Sequence, residues 1–145
     1  MATQEDTGKF VARSNRGIPS LEYPQPSALA DDTGTRIVTP AGAGTVALSS
    51  DDDVVGIDST AGIQTAILPP LSSVVDGKSI VVSQLGASVV TIAATAGDDI
   101  NIGSVAAPLD GSNNLPLTAV NDSAEVRAVK DGGTETWIIA GTNGI

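Results

Sequence analysis

Chemistry in this 145-residue chain would have to run on carboxylates, because it holds 17 acidic side chains, seven basic ones, and no His or Cys. Without Cys there is no disulfide framework, no thiolate zinc site and no thiol nucleophile. Without His the commonest general base and the commonest metal ligand are missing, so the usual hydrolase triads cannot be assembled. The acids cluster at two places, Asp51-Asp52-Asp53 and Asp98-Asp99. Clustered carboxylates are the hard oxygen donors that Ca²⁺ prefers. An EF-hand loop, however, needs Gly at its sixth position and Glu at its twelfth, and the triplet instead runs into Val54 and Val55 as a strand would. Solvated turns account for both clusters more simply. A pair drawn from Glu22, Glu125, Glu135 and the many Asp could in principle cleave a glycoside, one member as acid and the other as nucleophile or base. Sugar sites lean on aromatic platforms, and Phe10, Tyr23 and Trp137 are the only aromatics. The Gly-rich stretches PAGAGT (40–45) and GTNG (141–144) lack the Lys and the following helix of a phosphate loop. The expectation is a protein without catalysis, cofactor or metal.

What remains is recognition. Lys9, Arg13 and Arg16 fall within eight positions of one another, beside Phe10, and Tyr23 follows among Pro19, Pro24 and Pro26. Each Pro biases its predecessor toward extended or polyproline backbone. Residues 1–35 therefore read as an extended N-terminal arm with Lys9, Phe10, Arg13, Arg16 and Tyr23 as docking residues, since Arg and aromatic side chains are typical interface anchors. A solvated tail is the plainer alternative. Trp137, in ETWIIAG, reads as a core or subunit-interface anchor.

Residues 36–145 must supply the body. Val (15) and Ile (12) outnumber Leu (9), which favours strands over long helices. Strand candidates are 36–39, 45–48, 54–58, 63–68, 79–84, 88–93, 99–102, 115–120, 124–129 and 135–140. Turn signals such as PAGAG, SSDDD, STAG, VVDGK and KDGGT separate them. That spacing predicts an all-β fold, a small antiparallel β-sandwich, and disfavours βαβ crossovers. KDGGT is the best tight-turn candidate, because Gly132 and Gly133 permit positive φ. A core of small aliphatic side chains buries limited area, which motivates oligomerisation.

Charge is unevenly spread: residues 51–145 carry three basic and twelve acidic side chains. Such a body should repel nucleic acid, which needs a basic face. No apolar run approaches the roughly 18 residues of a membrane span, and the polar start MATQEDTGKF lacks the apolar stretch of a secretion signal. Synthesis in the cytoplasm, with no membrane partner, is expected.

The run VVGIDSTAGIQTAILPPLSSVVDGKSIVV, then TIAATAGDDINIG, then ETWIIAG resembles a small β-domain of bacteriophage virion proteins, found in head decoration proteins, head fibres and tail fibres. The residues carrying the resemblance are Ile67-Leu68-Pro69, Asp76-Gly77-Lys78, Ile80–Val82, Thr91–Ala93, Gly97-Asp98 with Ile100, and Thr136–Ile139. They span about residues 45–140. Where such domains usually place a second aromatic beside the Trp, this chain has Ile138 and Ile139. The resemblance implies a jelly-roll-like fold and a homotrimer. It implies a capsid decoration, or cement, protein on the outer capsid surface of a virion, made in the host cytoplasm, with the major capsid protein as partner. A trimeric tail-fibre or head-fibre domain that contacts the host surface is the alternative it leaves open.

Overall fold

The computed structural model describes residues 34–102 and 109–145. The arm residues Lys9, Phe10, Arg13, Arg16 and Tyr23 lie outside the described residues. Ten strands are present among those described: β1 (Thr35–Val38), β2 (Gly44–Ala47), β3 (Val54–Ile57), β4 (Gln64–Ile67), β5 (Ser79–Gln84), β6 (Val90–Ala93), β7 (Ile100–Ile102), β8 (Leu115–Leu117), β9 (Ser123–Lys130) and β10 (Glu135–Asn143). The helical content there is two single 3₁₀ turns, Ser59–Ala61 and Leu71–Ser73. No helix among the described residues is long and apolar enough to cross a membrane. Each strand candidate read from the sequence has its counterpart. Period-two alternation is the cause: in β5, Ile80, Val82 and Gln84 point inward while Ser79, Val81 and Ser83 stay half-buried.

The strands form a six-stranded sheet, ordered β1-β3-β5-β9-β10-β7, and a four-stranded sheet, ordered β2-β4-β6-β8. From β1 to β6 successive strands alternate between the sheets. Neighbours within each sheet then run parallel: β1 on β3, β3 on β5, β2 on β4 and β4 on β6. The first sixty residues of the body are thus a flattened coil in which each turn contributes one strand to either sheet. β8 closes the four-stranded sheet antiparallel to β6. The β9–β10 hairpin closes the other, with β9 antiparallel to β5 and β7 parallel to β10.

The all-β expectation therefore stands, and its antiparallel form does not. Five of the eight strand pairings are parallel, whereas a jelly roll joins antiparallel neighbours. The physical reason lies in the connections. Parallel neighbours need a crossover of about a dozen residues or more, usually a helix. Here a strand of the opposite sheet serves: β1 reaches β3 through residues 39–53, which include β2. A short Gly/Asp turn that crosses between sheets has the same composition as one that folds back within a sheet. KDGGT does form the in-sheet hairpin, joining β9 to β10 with Gly132 at φ 79°.

The core lies between the sheets. One row, Val46–Ala66–Ile92–Leu115, crosses all four strands of the smaller sheet, and every member is buried. Facing it from the larger sheet are Val55, Val82 and Ala124 in one row and Ile80, Val126 and Ile139 in the next. Trp137 is fully buried, paired across the ladder with Ala128 on one side and Ile100 on the other. The small Ala beside the large indole is how a thin aliphatic core accepts its one large ring.

Candidate functional site

The acidic triplet sits in the turn between β2 and β3, and its members have three different environments. Asp52 is buried, 7% exposed at its side chain. Its Oδ1 accepts from Arg36 Nε at 2.8 Å. Its Oδ2 accepts from Arg36 Nη2 at 2.8 Å and from the Ser49 amide at 2.7 Å. Burial pushes the Asp52 carboxyl up, but the bonds from Arg36 and Ser49 outweigh it, and the group ends below the usual carboxylate range. The hydrogen bond to Asp52 raises Arg36 in turn. Arg36 Nη2 also donates to the Ala47 carbonyl at 3.2 Å, so a β1 side chain ties down the end of β2. Asp53 Oδ1 accepts from Lys78 Nζ at 2.6 Å, joining this turn to the start of β5. Asp51 is exposed. Asp52 is committed to Arg36 and the Ser49 amide and Asp53 to Lys78, so these two members of the triplet clasp the first coil.

The second acidic pair is likewise divided. Asp98 Oδ2 accepts from the Leu71 amide at 2.8 Å, and the Asp99 carbonyl accepts from the Trp137 amide at 3.0 Å. Among the described residues no group of three or more His, Cys, Asp or Glu is placed to hold a metal ion. Of the carboxylates considered for glycoside chemistry, Glu135 is exposed at the start of β10. Glu125 Oε2 accepts from Ser79 Oγ at 2.7 Å and from Arg127 Nη2 at 2.8 Å. The bonds from Ser79 and Arg127 lower its carboxyl below the usual range. Glu22 lies outside the described residues. Among the described residues three buried polar atoms, Gln64 Oε1, Gln84 Oε1 and Trp137 Nε1, have no hydrogen-bond partner. They stand on β4, β5 and β10 respectively.

The surface offers a clearer candidate than any cleft. On the outward face of the larger sheet, Glu125, Ser79 and Arg127 occupy the middle. Toward β1 the same face turns apolar. Ile37 is 69% exposed, and Val54 and Leu85 are 39% exposed each. Gly56 lies beneath them: a Cβ built there would stand 2.7 Å from Leu85 Cδ1 and 3.6 Å from Ile37 Cγ1. Gly56 thus lets the Leu85 side chain lie across β3 and join Ile37 in one patch. In the sequence Ile37 falls within the strand candidate 36–39 and Leu85 within QLGA, which reads as a turn, so neither stands out as surface. The usable signal was the glycine in VVGID, an outward position left without a side chain.

Trp137 is inside the core, away from this surface. Comparison with protein-family models finds no match to the chain, and comparison with curated proteins finds none either.

Proposed function

We propose that this chain is a structural virion protein that decorates and stabilises the outside of a phage capsid, bridging neighbouring capsid subunits as a trimer. The observation that carries the reading is the order of the resembling segments along the chain. Leu68-Pro69 follows β4, Gly77-Lys78 precedes β5, Gly97-Asp98 leads toward β7, and Thr136–Ile139 lie within β10. Supporting it, the carboxylates of Asp52, Asp53 and Glu125 are spent on holding strands and turns together. A trimer of such bodies would act by multivalency, since several weak contacts on one rigid particle dissociate far more slowly than one. The acidic body would face outward and the arm, with Lys9, Phe10, Arg13, Arg16 and Tyr23, would contact the shell.

The test is co-sedimentation with expanded empty shells of the virion. Full-length chain should bind. A chain lacking residues 1–20 should lose binding while keeping its β circular dichroism spectrum. Phe10→Ala should weaken binding by about 1–3 kcal/mol per site, the range of an interface anchor. If the full chain ignores shells and labels tail or head fibres instead, decoration is wrong and the fibre alternative takes its place. If the truncated chain binds as tightly as the full one, the arm has no part in docking.

A further inference from the structure

We infer that the apolar patch formed by Ile37, Val54 and Leu85 is the surface through which copies of this chain meet. This deepens the oligomer named above and rests on it only for the expectation that copies associate. The outward positions of β1, β3 and β5 in this region are Thr35, Ile37, Val54, Gly56, Val81 and Ser83, with Leu85 just beyond. None carries charge, on a body whose residues 34–145 hold twelve acidic and four basic side chains. That contrast selects the occupant. A cationic partner would gain most from the acidic faces and would find nothing to pair with here. A second copy is itself strongly anionic, so it can approach only where neither surface presents charge and apolar area can be removed from water.

The geometry fits a contact about a symmetry axis. The patch is too small to hold a large interface alone. On an axis each of its side chains meets its own equivalents, so a few residues serve every copy. Gly56 leaves room for the Leu85 side chain, which covers it and forms the raised apolar part together with Ile37. The other large exposed apolar side chains among the described residues are Ile63 before β4, Val75 before β5, Val120 between β8 and β9, and Ile145 after β10, none of them on β1, β3 or β5.

The chain has no Cys, which makes a clean test possible. Ile37→Cys should form a covalent dimer on mild oxidation at micromolar concentration. Val75→Cys, at a position 74% exposed, should not. Ile37→Lys and Leu85→Lys, singly, should reduce the mass by sedimentation equilibrium to that of a monomer, with the circular dichroism spectrum unchanged. The inference is overturned if the full chain sediments as a monomer throughout the micromolar range, if both Lys variants keep the oligomer, or if Cys at 75 cross-links as readily as Cys at 37. Failure of shell binding with the oligomer intact would remove the decoration reading and leave this surface standing.

Discussion

Asp52 shows how a side chain that looks functional in sequence becomes structural in space. It stands in the middle of three acids, yet both its oxygens are filled by Arg36 and the Ser49 amide. What sequence could not provide was Arg36, sixteen positions away and brought alongside only when β1 lies on β3. Asp52→Asn keeps the size but leaves the guanidinium facing an amide. Loss of this charge-assisted pair should cost about 1–3 kcal/mol by urea denaturation at neutral pH; the lower half of that range is expected, since Arg36 is 41% exposed at its side chain. The pH dependence carries a sign. Because the folded Asp52 carboxyl lies below its ordinary value, its contribution is fully present above the unfolded value of about 4 and is lost as pH falls through the folded one. The gap between wild type and Asp52→Asn should therefore be largest near neutrality and close on acidification. A gap that stays constant down to acid unfolding would mean that the variant acts by packing rather than through the charge. Trp137 was legible as an anchor from its rarity and its apolar neighbours, and its complete burial follows from having Ala128 opposite.

At the scale of elements, local pattern was readable and pairing was not. Alternation placed every strand to within a few residues, because a side chain's inward or outward direction is a property of the strand itself. Which strand lies beside which depends on where each turn sends the chain. Internal repetition could have revealed a coil, but the coil is irregular. Thr35, Val54 and Val81 occupy equivalent rungs 19 and then 27 positions apart, so no fixed period is written in the sequence. The coil is held by close backbone packing between its turns, and Gly86 is the position where this matters most. A Cβ there would stand 2.2 Å from the Thr60 amide nitrogen and 2.5 Å from that of Ser59, so the loop after β5 must separate from the 3₁₀ turn after β3. That turn is also tied through Ser59 Oγ, which donates to the Ser88 carbonyl. Gly86→Ala should destabilise by about 1–3 kcal/mol, the range for overpacking. Gly133→Ala, in the hairpin turn with nothing within 4 Å of the added atom, should stay within about 0.5 kcal/mol of wild type. Equal effects at the two positions would refute the claim that contact between turns, and not glycine content, holds the coil.

Across the whole molecule the decisive quantity is charge set against a modest core. Of the twelve acidic side chains in residues 34–145, Asp52, Asp53 and Glu125 face Arg36, Lys78 and Arg127. The fourth base of the body, Lys130, spends its ammonium on the carbonyls of Leu71 and Val74. The remaining acids have no cationic partner among the described residues and repel one another through solvent. Two opposed effects then follow from added salt. It weakens the three ion pairs, and it screens the net repulsion. The pairs are short and directly hydrogen-bonded, which shields them from mobile ions better than charges spread over the surface. Screening of repulsion should win. Raising NaCl from about 10 mM to about 150 mM shortens the Debye length from about 30 Å to about 8 Å. The melting temperature at neutral pH should rise by roughly 4 °C, corresponding to about 1 kcal/mol for a body of this size. The same change should also strengthen association of copies, because two anionic bodies approach more readily when screened. A melting temperature that falls with NaCl would place the three ion pairs, rather than the surplus of carboxylates, in control of stability.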